Sequence, residues 1–145
     1  MGKLINELDL IMQPKARNAL EAMRNSKKLK DLGVEEIAVN ETKRSLAVQM
    51  AYYSRSRMDP ADVRRMYAAA GLYDPSFEEC RTPVTWTLDS KHIQGRAIDI
   101  VPVKNSKIWW NAPKEVWEAM GECGESAGLK WGGRWKNQDC PHYEM

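Results

Sequence analysis

The chain has 145 residues, which is enough for one domain with a hydrophobic core and too few for a second folded domain beside it. Its 22 Lys and Arg nearly balance 20 Asp and Glu, and the formal charge of +2 is spread along the chain, so the sequence lacks the concentrated basic patch of a nucleic-acid-binding protein. No run approaches the ~18 apolar residues of a membrane-spanning helix, and Glu7 and Asp9 interrupt the N-terminus before an apolar signal region could form. We therefore expect one soluble domain over residues 1–145, without a signal peptide and without stable membrane insertion.

Apolar spacing and capping residues predict four helices. Pro14 stands at a first helical position, Ser45 is placed as an N-cap, and Asp59 and Pro60 form an N-cap followed by a proline in the first turn. Glycine, which favours the left-handed conformation at helix ends, follows three of the four segments. The predicted helices cover residues 14–30, 46–56, 60–70 and 113–127.

Five short segments are predicted to be strands. The segment 84–88 is rich in residues that favour β-structure, and the segment 97–101 is expected to stop at Pro102. Residues 72–82 are predicted to form a loop. The remaining predicted strands cover residues 34–39, 129–131 and 142–144. This order of elements predicts an α+β fold, with a small antiparallel sheet and helices packed on one side of it.

Three cysteines, Cys80, Cys123 and Cys140, are an odd number and form no Cys-x-x-Cys pair. Structural disulfides belong mainly to oxidising compartments, and the sequence carries no export signal. We therefore expect free thiols.

The chain contains only two histidines, His92 and His142, and each lies among other possible metal ligands. Imidazole nitrogen suits zinc, and Asp99 offers an oxygen ligand. His92 and Asp99 are seven positions apart, so a turn at Gly95 between two strands can bring both onto one metal. Three protein ligands and an open fourth position are typical of a catalytic zinc site. From the spacing alone, two buried structural histidines remain the alternative.

The two histidine stretches resemble a known family, the VanY-type zinc D-Ala-D-Ala carboxypeptidases and L-alanyl-D-glutamate endopeptidases, to which compact phage endolysins belong. The similarity covers roughly residues 35–145, and hedgehog-type signalling domains share the same fold. The matching pattern comprises Ser90, His92, Gly95, Ala97 and Asp99, then Trp131-Gly132-Gly133, then Asp139 and Pro141-His142. The resemblance implies a zinc peptidase that acts on peptidoglycan stem peptides, with His92, Asp99 and His142 as the zinc ligands.

The resemblance also places the catalytic base at Asp139, three residues before His142 and separated from it by a proline that fixes the backbone. Glu144 competes for this role, since a residue two positions after His142 on a strand lies on the same face. Arg44 matches the family's strand–turn–helix layout, although Lys43 stands where an aromatic residue is usual. We expect Arg44 to stabilise negative charge on the reaction intermediate or a substrate carboxylate, with a solvated turn arginine as the alternative.

Two further residues are candidates for substrate contact. Ser90 is expected to bond a ligand or the substrate backbone, although a serine that only forms a turn fits as well. Trp135 lies in the segment that leads to Asp139, where it could line a cleft, although most tryptophans in a small domain serve as anchors.

Two rival functions follow from the same residues. A cysteine hydrolase could use Cys80 or Cys140 with a histidine, but the sequence offers neither a helix N-terminus nor a neighbouring cation to activate the thiol. A non-enzymatic zinc module of the same fold would lack the base, whereas Asp139 and Glu144 are both present.

We therefore predict an L-alanyl-D-glutamate endopeptidase that lyses cells as an endolysin, with a D-alanyl-D-alanine carboxypeptidase as the alternative. Its expected partner is the peptidoglycan stem peptide, without nucleic acid and without a separate wall-binding domain. A monomer is expected to stay in the cytoplasm of the host cell until a hole-forming membrane protein releases it to the wall.

Overall fold

The computed structural model describes residues 2–145 and has the predicted α+β architecture. None of the helices within this range is long and apolar enough to span a lipid bilayer. The helices are α1 (Met12–Arg24), α2 (Lys27–Asp31), α3 (Leu46–Ser54), α4 (Pro60–Ala69), α5 (Phe77–Arg81) and α6 (Lys114–Ser126), with single 3₁₀ turns at Ile5–Glu7 and Gly132–Arg134. The strands are β1 (Glu36–Glu41), β2 (Ala97–Lys104), β3 (Lys107–Ile108), β4 (Lys130–Trp131) and β5 (His142–Glu144).

The five strands form one antiparallel sheet in the order β1-β2-β5-β4, with β3 paired to β2. Successive side chains of a strand point to opposite faces. Ile98 and Tyr143 belong to the buried core, so Asp99 and His142, which neighbour them in β2 and β5, point to the other face. The sheet therefore separates an apolar side from a side that carries titratable groups.

Helices α1 and α6 cover the apolar side of the sheet. The buried residues of α1 recur at helical spacing, which places them on one stripe facing the sheet. This stripe consists of Met12, Ala16, Ala19, Leu20 and Met23. A second, smaller cluster joins α3, α4 and α5 through Ala51, Val63, Tyr67 and Cys80.

Two predicted helical boundaries were wrong. The helix predicted over 14–30 is interrupted, because the Ser26 hydroxyl accepts the Leu29 N–H at 3.2 Å and so starts α2 as a separate helix. The loop predicted over 72–82 contains α5. The Ser76 hydroxyl accepts the Glu79 N–H, and the Glu79 carboxylate accepts the Ser76 N–H. This reciprocal capping pair is legible in the sequence as Ser-x-x-Glu.

The strand predicted over 84–88 is wrong: this segment belongs to no strand, and its Thr85 and Thr87 carbonyls accept hydrogen bonds from the side chains of Arg57 and Gln49. Strand β2 also continues past Pro102, contrary to prediction. The Pro102 carbonyl accepts the Trp109 N–H, so the proline nitrogen faces away from β1 and lies opposite Trp109, just beyond the end of β3. The missing N–H therefore costs no strand–strand hydrogen bond.

Candidate metal centre

The sheet register brings the predicted zinc ligands together. Asp99 in β2 lies directly opposite His142 in β5, and His92 approaches from the turn that precedes β2. Asp99 Oδ1 lies 3.2 Å from His92 Nε2 and 3.3 Å from His142 Nδ1. The candidate ligand atoms of the three residues all lie within 4.8 Å of one another. One carboxylate oxygen and two imidazole nitrogens thus converge on one point, which is the donor set and spacing that a zinc ion requires.

The outward nitrogen of each histidine already has a partner. His92 Nδ1 lies 2.8 Å from the Thr42 carbonyl oxygen, so it carries the proton and leaves the lone pair of Nε2 directed at Asp99. His142 Nε2 lies 2.8 Å from Glu144 Oε1, which leaves Nδ1 directed at the same point. An acceptor behind each imidazole fixes the tautomer needed for metal binding. This arrangement argues against the alternative of two merely structural histidines.

The carboxylates and imidazoles of the metal centre shift one another's pKa values. Burial raises the pKa of Asp99, but the adjacent His142 and His92 imidazoles outweigh it and hold the pKa well below its usual range. For His142, burial lowers the pKa, while Asp99 and Glu144 raise it to a net value of about 9. The surrounding carboxylates therefore favour a positive charge at this position, whether it is a proton or a metal cation.

Asp139 and Glu144 lie at opposite nitrogens of His142. Asp139 Oδ2 is 3.9 Å from Nδ1, the nitrogen that faces Asp99, and the Asp139 side chain is 51% exposed on the cleft. Burial and the nearby Asp99 carboxylate raise the pKa of Asp139, as suits a group that must take up a proton. Glu144 instead holds the outward nitrogen. The geometry favours Asp139 as the base and gives Glu144 the task of orienting the ring.

The Trp-Gly-Gly motif shapes the segment that carries Asp139. The Trp131 indole donates to the Cys140 carbonyl at 2.8 Å, and the Asp139 N–H donates to the Gly132 carbonyl at 2.9 Å. A Cβ at Gly132 would lie 2.4 Å from the Asp139 carbonyl oxygen, so only glycine permits this close approach. The motif thus places Asp139 beside the ligands, although its residues touch none of the candidate ligand atoms.

Arg44 is held at the edge of the cleft by two buried partners, Gln49 and Glu41, of which the sequence analysis missed Glu41. Its Nε and Nη2 donate to the Glu41 carboxylate, the first at 3.1 Å, and Nη1 donates to Gln49 Oε1 at 2.6 Å. Glu41 pairs in register with Asp99, and its Oε1 lies 3.7 Å from His92 Nε2. The signal for Glu41 was its position at the end of a strand three residues before Arg44. The alternative of a solvated turn arginine is excluded, since the Arg44 side chain is largely buried.

The metal centre lies on one side of a cleft of about 730 Å³, and Ser90 and Trp135 both line it. Ser90 accepts the His92 N–H at 3.2 Å, so its hydroxyl shapes the turn that presents this histidine. Trp135 is 40% exposed, and its ring centroid lies 5.1 Å from that of His142. Trp135 is therefore available to substrate beside a candidate ligand, whereas Ser90 already has a structural task.

The cysteines lie outside the cleft lining, and all three are free as predicted. Cys80 is buried in the small cluster of α3, α4 and α5. Burial, reinforced by the Asp139 carboxylate, raises the pKa of the Cys140 thiol, which disfavours the reactive thiolate. Neither residue has the setting of a catalytic nucleophile.

The chain is similar to a protein family and to solved structures. Residues 84–145 match the model of a protein family described as D-alanyl-D-alanine carboxypeptidase. Among solved structures, the chain is similar to the L-Ala D-Glu endopeptidase ChiX of Serratia marcescens, with 22% identity, a TM-score of 0.44 and coverage of 92% of this chain and 87% of that one. It is also similar to a mutant of the vancomycin resistance D,D-pentapeptidase VanY in complex with Zn(II), with 16% identity, a TM-score of 0.53 and coverage of 99% and 76%. A sequence search among curated proteins finds no significant match.

The matched segment contains His92, Asp99, His142 and Asp139. The family resemblance predicted from the sequence is therefore confirmed, and so is the α+β fold. The prediction of zinc as cofactor is confirmed by the ligand cluster together with the family match. The roles of the individual side chains stay predictions.

Proposed function

We propose, on the premise that this chain is a VanY-type zinc peptidase, that it hydrolyses the L-alanyl-D-glutamate bond of peptidoglycan stem peptides. The observation that carries the proposal is the convergence of His92, Asp99 and His142 beside an open cleft, with Asp139 at its edge. A cleft of about 730 Å³ has room for several residues of a peptide substrate.

The proposed mechanism divides the work among a few side chains. His92, Asp99 and His142 would hold a zinc ion, which would supply polarisation of the scissile carbonyl and a lowered pKa for water at this position. Asp139 accepts the proton of the attacking water and returns it to the leaving amine. Arg44 offers its remaining N–H groups to the oxygen on which negative charge develops. Glu144 and the Thr42 carbonyl keep the two imidazoles in the tautomer that coordinates.

The hydrogen bonds that Arg44 already makes favour an endopeptidase over the alternative D-alanyl-D-alanine carboxypeptidase. A carboxypeptidase must bind the free carboxylate at the end of its substrate, and a guanidinium fork is the usual partner. The Arg44 charge is already compensated by the Glu41 carboxylate, and a third N–H is bonded to Gln49. The description of the matched family favours the carboxypeptidase, so it remains the second candidate.

Digestion of purified peptidoglycan tests the bond directly. The zinc-loaded protein is expected to produce fragments with a new C-terminal L-alanine and a new N-terminal D-glutamate, identified by mass spectrometry. Release of free D-alanine without these fragments would establish the carboxypeptidase instead. The Asp139→Ala protein serves as the control for contaminating hydrolases.

We propose further that the enzyme acts as a lysin, working as a monomer after a hole-forming membrane protein releases it from the host cytoplasm. The resemblance to compact phage endolysins supports this role. Added protein is then expected to reduce the turbidity of cells whose peptidoglycan has been made accessible. Cleavage of isolated stem peptides without any loss of turbidity would contradict the lytic role and leave the peptidase activity standing.

A further inference from the structure

Trp86 is an exposed indole on the wall of the cleft that the mechanism does not use. It is 67% exposed and lines the same cleft as the candidate zinc ligands. Val84, two residues before it, is exposed as well and also lines the cleft. Exposed apolar side chains on a cleft wall commonly mark a ligand-binding surface.

The segment that carries Trp86 is anchored on both sides of the indole. Gln49, which is fully buried in α3, donates from Nε2 to the Thr87 carbonyl at 2.6 Å and to Thr85 Oγ1 at 3.2 Å. Arg57 donates to the Thr85 carbonyl at 3.3 Å. These side-chain bonds replace the strand pairing that the segment lacks. The indole therefore stands on a fixed support, which lowers the entropy cost of binding a ligand.

A cation lies behind the indole. The Arg57 guanidinium stacks 3.9 Å from the ring centroid of Tyr53 and lies 5.9 Å from that of Trp86. One face of the indole is thus turned toward Arg57, and the large exposure of the residue must come from its other surfaces. A flat, uncharged aromatic face suits a partner with a flat apolar face of its own.

We propose that Trp86 forms a saccharide subsite, on which a sugar ring of the glycan strand stacks while the stem peptide lies across the metal centre. The inference rests on the proposed function. The first stem residue is joined to the sugar, so the L-alanyl-D-glutamate bond is one residue away from the glycan. The D-alanyl-D-alanine bond lies at the opposite end of the stem. A sugar subsite in the cleft therefore suits the endopeptidase.

Two substrates that differ only in the sugar test the subsite. One is a disaccharide that carries the stem peptide, and the other is the same stem peptide without sugar. The Trp86→Ala variant is expected to lower kcat/KM on the first about tenfold or more, the usual effect of truncating an aromatic anchor, and to stay within about twofold on the second. Trp86→Tyr keeps an aromatic face and should recover most of the activity. Trp110→Ala is the matched control, since Trp110 is 55% exposed but lies outside the cleft lining.

An equal loss on both substrates would overturn the proposal, because it would mean that the indole contacts peptide or only supports the cleft wall. No loss on either would overturn it too. A wild-type protein that cleaves neither substrate would refute the proposed function instead. In that event, an NMR titration of the metal-free protein with a peptide-free glycan oligomer tests the subsite. Binding that is lost in Trp86→Ala would support the subsite. Absence of binding to the wild-type protein, or binding that Trp86→Ala does not change, would refute it.

Discussion

The metal centre and the wall of the cleft are built in different ways. His142 and Asp99 are fixed by the register of β2 and β5, and carbonyl or carboxylate oxygens hold both histidines from behind. The wall over residues 84–88 belongs to no strand and is held by side chains of α3 and the segment after it. The two ligands Asp99 and His142 thus rest on paired strands, whereas the wall rests on hydrogen bonds from side chains of neighbouring elements.

The largest expected effects come from replacing a zinc ligand or the base, and the two replacements should differ in zinc content. His142→Ala should lose both zinc and activity, because two protein ligands hold the ion poorly against water. Asp139→Ala should keep near-stoichiometric zinc while turnover falls by roughly 10²–10⁴, the usual contribution of a positioned general base. Metal analysis beside a hydrolysis assay tests both variants. A folded, zinc-free Asp139→Ala protein would make Asp139 a ligand and place Asp99 in doubt, and near-native rates would move the base to Glu144.

A smaller effect on zinc affinity is expected from Glu144, which contacts the outward nitrogen of the ligand His142. Glu144→Gln keeps the size of the side chain but removes the charge that orients the His142 ring. Loss of such a supporting group typically weakens metal affinity by about 10–100-fold. Competition with a chelator of known affinity measures the change, and Glu125→Gln, whose exposed carboxylate pairs with Arg134 away from the ligands, is the matched control. Unchanged zinc affinity would remove Glu144 from the centre.

The same contrast explains what the sequence could predict. The α+β class and the cluster of His92, Asp99 and His142 could be predicted because the histidines are few and their neighbours form a family pattern, while the role of Asp139 as the base stays a prediction. Glu41 was missed because its importance comes from cross-strand pairing with Asp99 and from Arg44, and register is invisible without the structure. The segment 84–88 was predicted as a strand from its β-forming residues, but a strand also depends on tertiary pairing, and here side chains of Gln49 and Arg57 bond the backbone instead.

The pH dependence of zinc binding follows from His142, whose pKa in the metal-free protein is raised from 6.5 to about 9. Zinc binds the neutral imidazole, so affinity should rise with pH between these values, by about tenfold per unit for one displaced proton. The free energy of unfolding of the metal-free protein has the opposite pH dependence. The contribution of the protonated His142 ring is complete below pH 6.5 and is lost as the pH rises through about 9. Zinc competition and urea unfolding of metal-free protein measure the two trends. A zinc affinity that is flat from pH 7 to pH 9 would contradict the raised pKa.

Replacing Gln49, the α3 residue that holds the cleft wall, should lower the stability of the protein and leave metal binding unchanged. Gln49→Leu keeps the approximate volume but leaves the Arg44 Nη1 and the Thr87 carbonyl without this partner. Loss of such buried hydrogen bonds costs about 1–3 kcal/mol of unfolding free energy. Denaturant unfolding should detect this loss while zinc stoichiometry stays unchanged. A variant that loses zinc would show that wall and metal centre are coupled rather than separately built.

The smallest effect is expected at Cys140, which lies next to the base in sequence but outside the cleft lining. Its sulfur has no task in the proposed mechanism, and burial together with the Asp139 carboxylate keeps the thiol protonated. Cys140→Ser should therefore leave turnover within a few fold, since a change without a chemical role acts only through packing. Activity assays before and after alkylation of the native protein give an independent measurement. Complete loss in the folded, zinc-loaded serine variant, together with complete loss on alkylation of the native protein, would revive the cysteine hydrolase.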